Sequence, residues 1–266
     1  MITFERTPIM IIECVPDYRQ AEEWADISEK YGLSFEYNEF FNPDVLSDAV
    51  LTEKIINTYE ELGRDTTNDT LHGAFFDITV SSRDPLIRNA SDFRVRQSMD
   101  IASRLGCRGV VFHTNYLTDF KSIPYRKSWV ESNTTYWDKI CSEYPNVNVY
   151  LENMFDDTPE LLAEVADNLK ETSNFGVCFD IAHAFLSNVP LDTWTGALTP
   201  NIKHIHINDN DKLQDLHLAV GSGKIDWSIL KNKELFCSSP SVLIEVNGAD
   251  RLISSYQFLQ SINFFD

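Results

Sequence analysis

Several short apolar runs in this sequence end in a side chain that can bind a metal ion. VVFH closes on His113, VYLEN carries Glu152, VCFDI carries Asp180, HIHIND carries His206 and VLIEV carries Glu245. An acidic group inside such a run is costly to bury unless a positive charge compensates it. Lysine and arginine are scarce at the same places, so bound divalent cations are the economical source of that charge. His72 in TLHGAFF, His183 just beyond Asp180, and the pair Asp215 and His217 in DLHLAVGSGKIDW extend the set. His204 lies two residues before His206, on the same strand face and one layer deeper, which makes it a supporting or core residue rather than a ligand.

Such residues can act together only if the chain brings their strands side by side. Eight strand candidates recur: 8–15, 33–40, 70–77, 109–115, 148–153, 175–181, 203–209 and 241–247. Helical patterns separate most of them. In RQAEEWADISEKYG, Ala21, Trp24, Ala25 and Tyr31 fall at helical spacing and Gly32 suits a left-handed cap. Thr158, Pro159 and Glu160 read as an N-cap, a first-turn proline and an acid matched to the helix dipole. Strands alternating with helices over this length predict an α/β fold, a (β/α)8 TIM barrel, as one domain over residues 1–266. No glycine-rich dinucleotide fingerprint follows the first strand, which argues against an open doubly wound sheet. In a barrel, the C-terminal strand ends carry the chemistry, and that is where the candidate ligands fall.

The composition, 43% hydrophobic and 24% charged over 266 residues, is that of an ordinary globular chain. A formal charge of −19 and the absence of any basic run longer than Arg126-Lys127 disfavour a nucleic-acid partner. No apolar stretch approaches the roughly 18 residues of a membrane span. The odd number of cysteines without close pairing and the lack of a signal-peptide pattern point to a cytoplasmic protein. Aromatic residues of the C-terminal YQFLQSINFF pack either the last helix or a neighbouring chain, and no oligomeric state is assigned.

The motifs LHGAFF, VVFH, LEN, FDIAHAF, HIHIND, DLHLAVGSGKIDW and LIEV, spread over residues 72–245, resemble the xylose isomerase-like barrel superfamily. That superfamily includes sugar phosphate isomerases and epimerases, with endonuclease IV as a close relation. The resemblance implies a TIM barrel with divalent metal at its mouth. In the isomerases and epimerases it implies one ion held by Glu152, Asp180, His206 and Glu245, the two glutamates also moving the substrate proton as the catalytic pair. The endonuclease IV pattern adds His72, His113, His183, Asp215 and His217. Of these, His72 and His113 would share an ion with Glu152, while His183, Asp215 and His217 would hold another.

The resulting expectation is a divalent-metal-dependent isomerase or epimerase of a small-molecule sugar or sugar phosphate. The alternative is an endonuclease IV-like trinuclear-zinc phosphoester hydrolase. One to three ions are expected, zinc foremost, with manganese or magnesium also suited to the carboxylate-rich centre. Four carboxylates against three dications leave a positive site fit for an anionic ester, whereas one or two ions suit a neutral sugar. The acidic segment PDYRQAEEW and the short ENMFDDTPE loop do not suit a DNA duplex. Substrate contacts are expected from Lys224 as an anion partner and from Phe75, while Asn153, with Asn208 and Asp209, is expected to orient the ligands or touch substrate. Gly221 and Gly223 are expected to let the chain pass close to the site.

Overall fold

The computed structural model describes residues 10–154 and 156–265. Eight parallel strands close into a barrel in sequence order. They are β1 (Ile12–Cys14), β2 (Ser34–Tyr37), β3 (Thr70–His72), β4 (Gly109–His113), β5 (Asn148–Glu152), β6 (Phe175–Asp180), β7 (Ile202–Ile207) and β8 (Ser241–Ile244). Helices α1 (Ala21–Tyr31), α2 (Pro43–Ser47), α3 (Ala49–Glu61), α4 (Pro85–Leu105), α5 (Ile123–Glu143), α6 (Glu160–Asn168), α7 (Ile181–Leu186), α8 (Leu191–Leu198) and α9 (Ala249–Ser261) fill the connections. The expected TIM barrel is the observed fold. The strands are shorter than their apolar runs, and residues 8 and 9 of the first lie outside those described. No helix among the described residues is long and apolar enough to cross a membrane.

Strands buried on both faces explain why the runs are almost continuously apolar. Val110, Phe112, Val149, Leu151, Phe179 and Ile205 join the main core, whereas Val111, Tyr150 and Cys178 form a separate buried cluster. Odd and even positions of neighbouring strands thus serve different layers. Register then sets the height of each candidate ligand. His113 pairs with Glu152 and Asp180 with His206, while His72 pairs with Val111 and His206 with Leu243, each two residues short of a donor. Steps of two keep every donor on the inward parity as the sheet closes.

The helix signals hold with one shift. Gly32 caps α1 at φ 67, as its sequence position predicts. Thr158 is not the cap of α6: Pro159 occupies that position without a side-chain bond, and the helix begins at Glu160. The proline carbonyl opens the ladder instead, accepting from the Ala163 N–H.

The segment after β7 is organised by Asp209, a fully buried carboxylate. It accepts from the Asn210 N–H at 2.9 Å, Gly221 N–H at 3.0 Å, Ile225 N–H at 3.1 Å and Trp227 Nε1–H at 2.9 Å. Gly221 takes φ +85, and a Cβ on Gly223 would stand 2.2 Å from Asp209 Oδ1. These glycines therefore accommodate the approach to Asp209, not to the metal-binding side chains. Replacing Asp209 with alanine strands several buried donors. Urea unfolding of Asp209→Ala is expected to show a loss of about 3–5 kcal/mol, and a loss under about 1 kcal/mol would refute this role.

Candidate metal centre at the barrel mouth

Strand ends and the β7 loop bring all nine candidate ligands to one end of the barrel. His72, His113 and Glu152 place donor atoms within 4.8 Å of one another, as do His183, Asp215 and His217, and likewise Glu152, Asp180 and His183. His113 Nε2 lies 3.2 Å and His72 Nε2 3.7 Å from Glu152 Oε2. His206 Nδ1 lies 3.6 Å from Glu152 Oε1 and 3.5 Å from Glu245 Oε2, between the two glutamates. Asp215 Oδ2 stands 3.4 Å from His183 Nε2 and 3.2 Å from His217 Nε2. Two donors held about 2.0–2.1 Å from one ion at the tetrahedral angle are about 3.3–3.4 Å apart, so these spacings are those of ligand pairs.

The imidazoles are also turned the right way. His72 Nδ1–H donates to the Gly73 carbonyl at 3.1 Å, His183 Nδ1–H to the Asn153 carbonyl at 2.9 Å and His217 Nδ1–H to the Glu245 carbonyl at 3.1 Å. With the proton on Nδ1, Nε2 of His72 faces Glu152 and Nε2 of His183 and His217 faces Asp215, the arrangement that orients a metal-ligating histidine, while His183 Nδ1 also lies 3.2 Å from Glu152 Oε1. His217 reaches it from a left-handed backbone, φ 45, unusual for a residue with a side chain. Among the described residues, His113 Nδ1, Glu152 Oε2, Asp180 Oδ2, Asp215 Oδ1 and both ring nitrogens of His206 are buried without a hydrogen-bond partner. Orphaned donors and acceptors at this density call for a ligand, and a divalent ion fits them.

Electrostatics agree. Burial pushes Asp180 up to about 7, with Glu152 and Glu245 adding to the effect against the opposing His183. Burial opposes charge on His217, yet Glu245 and Asp215 raise it to about 10. Burial likewise opposes charge on Glu152, but His206 and His113 hold it well below the usual carboxylate range. Without cations from lysine or arginine, the carboxylates recruit protons onto imidazole. A metal would displace those protons.

The remaining site residues divide. Asn153 does not reach the cavity: its side chain clamps Asp180, donating to the Asp180 carbonyl and accepting from its N–H, both at 2.9 Å. Lys224 is exposed and absent from the cavity lining, because its N–H is tied to the Asn210 carbonyl in the turn around Asp209. Phe75 does line the cavity, edge-on to His113 at 4.4 Å, while Phe76 is exposed. Val15, Asn38, Phe41, Met154, Val246 and Asn247 complete the wall and were not read from the sequence.

Two further buried acids, Glu13 and Glu36, were also passed over. Glu36 Oε1 faces His206 Nε2 at 3.4 Å, and its Oε2 lies 3.1 Å from His204 Nε2 and accepts from Thr70 Oγ1 at 2.7 Å. Glu13 is paired with Arg108 at 2.7 Å. His204 stacks on Tyr150 and bonds Ser241, one layer beneath the donors. The signal existed, since IIECV and LSFEY carry an acid inside an apolar run just as VYLEN does.

The family model for xylose isomerase-like TIM barrels matches residues 26–259. The chain belongs to that family. Among curated relatives, it is 27% identical to an uncharacterised protein of Methanocaldococcus jannaschii over 59% of this chain and 56% of that one. It is 28% identical to a probable endonuclease 4 of Mycobacterium leprae over 58% and 63%. The matches thus span less than two thirds of these relatives. Proteins of known structure share the fold: a D-tagatose 3-epimerase-like protein at TM-score 0.73 and 21% identity, covering 95% of this chain and 96% of that one. A Thermus thermophilus protein soaked with zinc chloride follows at TM-score 0.71 and 23% identity, covering 95% and 98%.

Two outcomes are expected in zinc titrations followed calorimetrically at neutral pH. Binding should release protons, seen as a dependence of the heat on buffer ionisation enthalpy. Glu36→Gln should weaken zinc binding by about 10–100-fold through loss of the carboxylate behind His206. Glu13→Gln, in the same buried network but not facing His206, serves as control. Equal effects of the two substitutions would reduce Glu36 to a structural part of the network.

Proposed function

We propose that the chain is a hydrolase of small phosphoesters that works with a cluster of divalent ions, zinc foremost. The observation that carries this is the convergence of seven candidate ligands in groups that share Glu152 and His183, with His206 and Glu245 beside them, at a cavity whose described lining contains no lysine or arginine. Lys224, the expected partner for the phosphate of a sugar phosphate, lies outside the cavity. His72, His113 and Glu152 would hold one ion, Glu152, Asp180, His206 and Glu245 a second, and His183, Asp215 and His217 a third. Bound there, divalent ions supply a nucleophile from water at neutral pH and neutralise charge developing on the phosphoryl oxygens. The chain's own work is to fix the donors: Asn153 braces Asp180 and His183, Glu36 braces His206, and the Glu245 carbonyl braces His217. The apolar wall excludes water from the reacting face. The probable endonuclease 4 of Mycobacterium leprae among the relatives supports phosphoester chemistry. The chain's acidity favours a small ester over a duplex.

The second reading is the isomerase or epimerase. It is favoured by Glu152 and Glu245 both approaching His206 Nδ1, at 3.6 and 3.5 Å, which puts two carboxylates beside one candidate ligand as a pair that could move a substrate proton. The fold likeness to a D-tagatose 3-epimerase-like protein is in keeping with it.

Protein purified without chelator is expected to carry more than one ion per chain by elemental analysis. It should hydrolyse 4-nitrophenyl phosphate or bis(4-nitrophenyl) phosphate, lose that activity to a chelator, and regain it with zinc or manganese. Glu152→Gln should lower kcat by about a hundredfold or more. One ion per chain, no ester turnover, and exchange of a carbon-bound sugar proton with solvent that both Glu152→Gln and Glu245→Gln abolish would replace the hydrolase with the isomerase.

A further inference from the structure

The mouth cavity has two unlike walls. One is the donor cluster, and the other is apolar, made by Val15, Phe41, Phe75, Met154 and Val246. Phe75 stands edge-on to Phe41 at 5.6 Å and to His113 at 4.4 Å, so the aromatic pair begins where the donors end. The cavity holds about 240 Å³, at or below the small end of ligand pockets, which run from roughly 300 to 1,000 Å³. Besides the donors, the described polar side chains on its wall are the amides Asn38 and Asn247. Asn38 Oδ1 is buried without a hydrogen-bond partner.

The rim repeats the theme. Asp77, Asp119 and Asp157 are exposed on the loops after β3, β4 and β5. Among them stand Phe76, Leu117 and Phe120, each more than half exposed at 57%, 60% and 53%. Lys121 in this region is held by Asp157 at 2.6 Å, and Arg251 donates to the His217 carbonyl at 3.3 Å from outside the cavity.

From this we infer the substrate class: a small phosphoester whose alcohol part is an uncharged ring. The inference rests on the hydrolase reading and deepens it. The phosphoryl group goes to the ions the donor cluster would hold, the ring lies against the exposed side of the Phe41–Phe75 pair, and Asn38 Oδ1 accepts one hydrogen bond from it. Edge and face contacts with two phenyl rings favour an aromatic or flat apolar partner. A polyol would bury hydroxyls against Val15 and Val246 without partners. A second phosphate, or a nucleic-acid backbone, would meet aspartates at the rim and no cation on the wall.

The test uses metal-loaded protein and two pairs of probes. Benzylphosphonate and methylphosphonate, which are not hydrolysed, are compared in calorimetric binding; benzyl phosphate and glucose 6-phosphate, both esters of primary alcohols, are compared in turnover. Benzylphosphonate is expected to bind at least about tenfold more tightly, and benzyl phosphate to lead in kcat/KM by at least about tenfold. Phe41→Ala and Phe75→Ala should each cut that lead several-fold at unchanged zinc stoichiometry, with Phe75→Leu as the milder variant if alanine unfolds the loop. Equal affinity for the two phosphonates, or a lead that survives every aromatic substitution, overturns the inference. Ring preference in binding with no turnover of either ester removes the hydrolase reading and with it the substrate class, while the ring-binding role of Phe41 and Phe75 stands.

Discussion

Everything at the mouth of this barrel follows from the cost of burying negative charge. Glu152 and Asp180 place oxygens within 4.8 Å of each other, Glu245 shares His206 Nδ1 with Glu152, and all three are buried. Desolvation of a carboxylate is expensive, and like charges at short range add to the expense. Imidazole is the compensation the chain provides, and imidazole is also a metal ligand. The same barrel shows the other solution one layer down, where Arg108 meets Glu13 directly and Glu36 is shared among Thr70, His204 and His206. Protein groups thus satisfy most of the deep layer, with Glu36 Oε1 and Arg108 Nε left over, whereas the mouth holds more of the buried atoms without a hydrogen-bond partner.

The outer donors depend on a second buried carboxylate with a different task. Asp209 gathers three backbone amides and the Trp227 indole, and its own backbone pairs with Leu218. That closure carries Asp215 and His217 back over the mouth, where the Glu245 carbonyl receives the His217 ring. Two acids in one strand–loop unit therefore divide the work: Asp209 is satisfied by donors and shapes the chain, and Asp215 is turned toward imidazoles and shapes the site. Burial alone does not separate these roles. Partners do.

Family membership settles the scaffold and leaves the reaction to the side chains, as is usual for a barrel that hosts many chemistries. Here the distinguishing features are the completeness of the donor set and the lack of a cationic wall. The first concentrates positive charge wherever ions bind, and the second leaves those ions as the anion-recognising element. Phe41 and Phe75 then matter because they border that element with a surface that offers no hydrogen bonds. Specificity in such a site comes as much from what the wall refuses as from what the donors attract.

The order of strands and the meeting of the nine candidate ligands at one barrel end were legible in the primary structure. Apolar runs that end in an acid or imidazole carry an energetic contradiction that a compensating partner or a bound ion must resolve, and the parallel-barrel pattern says which ends meet. Glu13 and Glu36 carry the same contradiction but sit before the motif-bearing segments, so their pairing with Arg108 and with His206 waits for the register of β1, β2 and β4 around the closed sheet. Neighbours in sequence do not reveal direction: of the two readings open for Asn153, its side chain turns inward to hold Asp180 as an orienting residue would, and Lys224 is carried outward by the Asp209 turn. The cavity wall was beyond reach of sequence for the same reason. Val15, Phe41, Met154 and Val246 are ordinary apolar residues on four different strand-to-helix connections, and only closure of the barrel makes them one surface.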